Sequence, residues 1–231
     1  MVKAKVRCSS SVALAGACFY LSISGQVKAE DGPGHAIRAQ AQVRIFNLAR
    51  VPERDLVRAK AEVGRIFADG GIDVHWAEGD LHDRSSLAED FSAANSEAGC
   101  TGEANRSELR VQLLAHLPYG MPAGTLGFSL PCAKFGMDST IFVDQCEAVS
   151  YQVRPTFAKV LGDAIAHELG HVLLRSGQHS GSGLMRARWD KATWLNVAVG
   201  QVRMDQDEAR RMQIELLRME ESSLISLLPD R

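Results

Sequence analysis

The chain has 231 residues, 45% hydrophobic and 23% charged, with a formal net charge of -2 at pH 7. That is enough chain to bury one good-sized core, in a composition ordinary for a globular protein. The absence of a basic excess argues against nucleic acid or an anionic membrane surface as a partner.

The N-terminus reads as an export signal and is set apart from the fold. Lys3, Lys5 and Arg7 form a positive start, residues 12–23 are apolar and rich in small residues, and no acidic residue precedes Glu30. Val27-Lys28-Ala29 offers small residues at the two positions a signal peptidase reads. The expectation is a signal peptide over residues 1–29 and a single domain over residues 30–231, in a secreted, periplasmic or extracellular protein. The apolar run is short and interrupted by serines, so no stable membrane span is expected after cleavage. The mature chain would keep Cys100, Cys132 and Cys146. An oxidising compartment permits one disulfide among them and leaves one thiol. The three pairings stay open, with Cys132–Cys146 mildly favoured because the two residues bracket an expected strand.

The predicted elements begin with residues 37–45, where apolar and polar residues alternate with the period of two of a strand. Pro52 opens a helix, in which Leu56, Val57, Val63, Ile66 and Phe67 recur at helical spacing until Gly70-Gly71 stops it. Residues 72–76 suggest a second strand. Residues 78–105 are polar and rich in Gly, Ser, Asp and Asn, and read as an irregular insertion. Further strands are expected at 109–117, 124–130 and 140–143. From Thr156 to Arg175 a broad apolar stripe marks a helix, with Gly177 as its stop. A last helix begins at Asp205, where Asp205 and Glu208 have the spacing of an N-cap and its partner, and runs to about Glu221. The order implies an α+β domain: a twisted mixed sheet of about five strands and a C-terminal helix.

Chemistry concentrates in His167-Glu168-Leu169-Gly170-His171, inside the helix expected at 156–175. Histidines four apart project from one helix face, one turn apart, and two imidazoles so placed can ligate one zinc ion. Glu168 can stand beside a zinc-activated water and accept its proton, the mechanical content of H-E-x-x-H. A catalytic zinc needs a third protein ligand and an open position. His179, just beyond the Gly177 stop, is the natural third, and Asp190, Asp205 and Glu208 are its competitors. Asp163, one turn before His167, could orient that imidazole, but more readily reads as a solvated helix residue. His35, His75, His82 and His116 lack metal-like spacing and are taken as structural. Trp189 and Trp194 read as core or rim aromatics. No tyrosine follows Tyr151, so charge developing on a substrate oxygen would fall to zinc, backbone amides, Arg186 or Arg188.

The run HELGHVLLRSGQHSGSGLM resembles the zincin metallopeptidases and, within them, the metzincins, which join H-E-x-x-H to a glycine turn, a third histidine and a methionine turn beneath the metal. The resemblance implies His167, His171 and His179 as ligands of one catalytic Zn2+, Glu168 as general base and Met185 as the methionine turn. It also implies an edge strand, here 124–130, that binds an extended peptide or protein substrate. The metzincin pattern places Gly six and the third His ten residues after the first His. Leu173 and Gly177 occupy those positions, and the third His comes at twelve. The resemblance is thus to a divergent or separate branch and covers residues 162–189. A secreted zinc peptidase is the expected function. The alternatives are a catalytically inactive zincin-like protein that binds zinc or a partner, and a binding module in which the motif is accidental.

Overall fold

The structure, a computed structural model, describes residues 38–80, 108–132 and 138–226. The expected signal segment and most of the polar stretch at 78–105 lie outside these residues, as do His35, His82 and Cys100. Every described element belongs to one compact unit, Ile37–Arg231.

Alternation makes β1 (Ala39–Asn47) a strand with Ala39, Ala41, Val43 and Ile45 buried on one face. Helix α1 (Glu53–Asp69) follows and buries the stripe Leu56, Ala59, Val63, Ile66 and Phe67. Gly71, at φ +72°, then turns the chain into β2 (Ile72–Glu78). β1 pairs in parallel with β2 on one side, Val43 opposite Trp76, and with β3 (Leu109–Leu114) on the other, Val43 opposite Leu109. β3 pairs in parallel with β5 (Ser139–Phe142), and the short β4 (Gly127–Ser129) runs antiparallel to β5, completing the order β2-β1-β3-β5-β4. The expected mixed sheet of five strands is present among the described residues, with β4 and β3 shorter than their sequence patterns suggested.

Two helices went unexpected. α2 (Val143–Gln152) starts directly where β5 ends, so residues read as the tail of a strand open a helix. α4 (Lys191–Ala198) is capped by Asp190, whose carboxylate accepts hydrogen bonds from the Thr193 amide and hydroxyl, both at 2.9 Å.

The long apolar stripe forms α3 (Phe157–Leu174), which packs against α1, α2, α5 (Gln206–Ser226) and the β4–β5 end of the sheet. Gly162 lets α1 and α3 close: a Cβ there would stand 2.7 Å from the Ala59 carbonyl oxygen. α3 stops at Leu174, three residues before Gly177. Arg175 takes the left-handed conformation (φ 50°), and the Ser176 amide bonds back to the His171 carbonyl. No helix among the described residues is long and apolar enough to cross a membrane.

Cys146 is a free, fully buried thiol, whereas Cys132 is disulfide-bonded. The favoured Cys132–Cys146 pairing is therefore wrong. α2 turns Cys146 into the core, where burial pushes its thiol far above the ordinary range, and the partner of Cys132 lies outside the described residues.

Candidate metal centre

Helical geometry sets His167 and His171 one turn apart on the last two turns of α3, and the loop beyond the Arg175 cap brings His179 back to them. His171 Nε2 lies 3.1 Å from His167 Nε2 and 3.3 Å from His179 Nε2. Among the described residues these three form the one histidine, cysteine or carboxylate group whose donor atoms gather closely enough to hold an ion.

The other ring nitrogens decide where the protons sit. His167 Nδ1 is 2.7 Å from the Leu184 carbonyl and His171 Nδ1 is 2.8 Å from the Ser176 carbonyl. A carbonyl only accepts, so each Nδ1 carries the proton. Burial, with the neighbouring imidazoles adding to it, holds both rings down to about pKa 4, so both are neutral at pH 7. Two proton-free Nε2 atoms thus face each other at 3.1 Å, an arrangement that repels unless a cation is shared. Nitrogens about 2.0–2.1 Å from a tetrahedral ion stand about 3.3–3.4 Å apart, close to the 3.1 Å and 3.3 Å that separate His171 Nε2 from the other two rings. The donor set and its spacing therefore fit a zinc-like ion.

The turn after the loop supports this geometry. Gly183 (φ +72°) lets Leu184 present its carbonyl to His167. Met185, fully buried, packs beneath α3 at Gly170, where a Cβ would come within 2.4 Å of its Sδ. Met185, expected as the methionine turn, thus lies against the helix that carries His167 and His171. Asp163 does not orient His167, because the Leu184 carbonyl occupies its Nδ1. Nor is Asp163 solvated: its carboxylate is fully buried with no hydrogen-bond partner among the described residues, and burial, reinforced by Glu62 and opposed by Arg65 and Lys159, pushes it up to about 8.

Glu168 opens onto a cleft of about 600 Å³, shared with His167, His179, residues 123–127, Trp189 and Trp194. Burial raises its carboxyl to about 7, opposed by the Ser129 hydroxyl, which hydrogen-bonds Glu168 Oε2 and lies 2.8 Å from the Glu168 carbonyl oxygen. A cation bound alongside would pull that value back down. Ser129 escaped the sequence reading, although the alternation of β4 was its signal. Gly127 and Ser129 share the face towards Glu168, and Phe128 points the other way to stack near Phe142.

The competing carboxylates are engaged elsewhere. Asp190 caps α4 and pairs with Arg186 at 3.1 Å. Asp205 Oδ1 accepts from the Asp207 amide at 2.9 Å. Glu208 accepts from the Asp205 amide and the Ser180 hydroxyl. The Trp189 and Trp194 rings meet at 5.1 Å, tilted by 58°, with Trp189 6.1 Å edge-on from His167, so the pair walls the cleft while packing against the core behind it. His75 contacts Gln40, and exposed His116 lies 3.7 Å from Asp144, both apart from the triad.

β4 is an outer strand of the sheet, at the edge opposite β2. The Phe142 amide bonds to the Leu126 carbonyl and the Leu130 amide to the Asp138 carbonyl, both at 2.8 Å. In an antiparallel ladder the alternate residues, Gly127 and Ser129, then turn their main-chain donors and acceptors to the open edge.

No protein-family profile and no curated protein sequence matches the chain. Solved structures similar to it include metalloproteinase-II from Bacteroides fragilis, with a TM-score of 0.43 and 17% identity over 77% of this chain and 53% of that one. Archaemetzincin from Methanopyrus kandleri gives a TM-score of 0.40 and 14% identity over 78% of this chain and 97% of that one. The chain thus spans about half the length of the Bacteroides protein it resembles.

Proposed function

We propose that this protein is an exported zinc-dependent peptidase, with His167, His171 and His179 holding one Zn2+ and Glu168 acting as general base. The observation that carries the reading is the convergence of three Nε2 atoms, two of them stripped of protons by hydrogen bonds on the far side of their rings, beside a buried carboxylate.

When bound, zinc supplies Lewis acidity, lowering the pKa of a water and polarising a carbonyl. Glu168 takes the proton of the attacking water on its carboxylate and delivers it to the leaving amine. The Ser129 hydroxyl holds Oε2 and so fixes the orientation of that carboxylate. The outward main-chain groups of Gly127 and Ser129 receive an extended peptide as an added strand, which sets its scissile bond along the cleft. Of the two cleft arginines, Arg186 is tied to Asp190 and Thr193, while Arg188 has no ion-pair partner among the described residues. Zinc, backbone amides or one of these arginines would meet negative charge developing on the substrate oxygen, and Arg188 is the arginine not held by an ion pair among the described residues. Export is supported by the signal-like N-terminus together with the disulfide at Cys132, since such bonds persist in oxidising compartments.

Glu168→Gln tests the reading. The variant is expected to keep stoichiometric zinc and to hydrolyse an unfolded protein substrate about 10²–10⁴-fold more slowly. Equal rates would remove Glu168 from the mechanism. A wild type that holds zinc and cleaves nothing would point to the inactive zinc-binding alternative.

A further inference from the structure

The loop that carries His179 has little of its own to hold it. Residues 176–183 read Ser-Gly-Gln-His-Ser-Gly-Ser-Gly, and Gly177, Gln178, His179, Gly181, Ser182 and Gly183 are all exposed. Such a segment has almost no apolar surface to bury and pays a high entropic cost when ordered. Its shape must come from hydrogen bonds to better-packed neighbours.

One such bond closes onto the following turn, and others run to the chain around the start of α5. The Leu184 amide donates to the Arg203 carbonyl at 2.9 Å, and the Ser180 amide donates to the Met185 carbonyl at 2.8 Å. The Ser180 hydroxyl, one residue past His179, hydrogen-bonds Glu208 Oε1. Glu208 Oε2 accepts from the Asp205 amide at 3.3 Å, and the whole residue is only 3% exposed. A helix cap alone does not require a buried carboxylate, because capping glutamates work at the surface. Among the described residues no arginine or lysine pairs with Glu208, so its desolvation is offset by these hydrogen bonds.

We propose that Glu208 is a positioning residue for the third metal ligand: through Ser180 it fixes the loop that carries His179 against the imidazoles of α3. The C-terminal helix thereby becomes part of the metal site without contributing a ligand. The proposal rests on the metal-site reading above, and its test separates the two.

Zinc affinity of the full chain is measured by chelator competition for the wild type, Ser180→Ala, Glu208→Ala, Glu208→Gln, the Ser180→Ala/Glu208→Ala double variant, and Asp205→Ala. Removing groups that orient ligands typically costs about 10–100-fold in affinity, and that loss is expected for Ser180→Ala and Glu208→Ala. Glu208→Gln, which keeps an acceptor for the serine, should lose less. The double variant should bind no worse than Glu208→Ala, because both changes break one interaction. Asp205→Ala, which removes the Asp207 cap and leaves Ser180 alone, should bind like the wild type. Wild-type affinity in both Ser180→Ala and Glu208→Ala overturns the proposal, and Ser180→Ala alone suffices should the buried substitution fail to fold. A wild type without zinc removes the metal-site reading instead. Amide exchange in the metal-free protein then decides: residues 177–186 should exchange faster in Ser180→Ala and Glu208→Ala than in the wild type or Asp205→Ala, and equal rates overturn the anchoring.

Discussion

Gly170 lies between the two α3 histidines and faces the floor of the site. A methyl group there would come 2.4 Å from Met185 Sδ, 3.2 Å from Met185 Cε and 3.3 Å from Met212 Cε. The first of these is more than 1 Å inside ordinary contact. Met185 and Met212 are both fully buried, so the displaced thioether has no free volume to enter. Overpacking of this kind costs about 1–3 kcal/mol, and the size of the overlap places Gly170→Ala near the upper end. Alanine's helix preference returns up to about 1 kcal/mol. The net expectation is a loss of about 1–2 kcal/mol, or a fall in melting temperature of about 2–8 °C at about 2–4 °C per kcal/mol for a domain of this size. The same displacement should move the Leu184 carbonyl, the residue next to Met185, and so loosen His167 and weaken zinc binding. Thermal unfolding of metal-free protein and zinc competition give the two readouts. Trimming the obstacle in a Gly170→Ala/Met185→Ala double variant should cost less than the sum of the single changes. A Gly170→Ala protein as stable as the wild type, with unchanged zinc affinity, would refute the contact between Gly170 and Met185.

His179→Ala removes a donor rather than its support, so zinc affinity should fall by more than the ~10–100-fold expected from losing an orienting neighbour; unchanged affinity by chelator competition would move the third ligand elsewhere. Asp163→Asn addresses the buried carboxyl raised to about 8. Its folded pKa lies above the unfolded value near 3.9, so the native state binds the extra proton: the contribution is fully favourable below about pH 4 and is lost as pH rises to about 8. The stability of Asp163→Asn relative to wild type should therefore increase from pH 5 to pH 8 in urea titrations, and a difference flat across that range would contradict the assignment. Gly162→Ala meets the Ala59 carbonyl oxygen at 2.7 Å and Glu62 Cβ at 2.8 Å. Backbone cannot yield as a thioether can, so the loss should reach about 3 kcal/mol or more, and an unchanged unfolding midpoint would show that α1 and α3 are not in contact there.

The local elements were readable wherever one period dominated. β1 alternates cleanly, and α1 and α3 carry unbroken apolar stripes. α2 was hidden because its first residues continue the apolar run of β5 without a turn residue between them, and only Val143 and Cys146 are buried from it. α4 does have a signal, Asp190 three residues before Thr193, but an aspartate so soon after the histidines suits a metal ligand as well as a cap. Gly177 drew the helix stop because glycine favours the left-handed conformation, yet Arg175 adopts it two residues earlier. The disulfide preference failed for a similar reason: residues that bracket a strand in sequence need not face each other, and α2 carries Cys146 into the core.

What the sequence determined by itself is the pair of nitrogens on α3 and the carboxylate between them, because a spacing of four on a continuous helix fixes their relation without help from elsewhere. The tertiary structure decided which third histidine gathers with them, which carboxylate bonds to its loop, and which strand edge lies open beside them. Those outcomes depend on contacts such as that between Ser180 and Glu208, 28 residues apart. A flexible loop has no intrinsic direction, and only the packing of a distant helix gives it one.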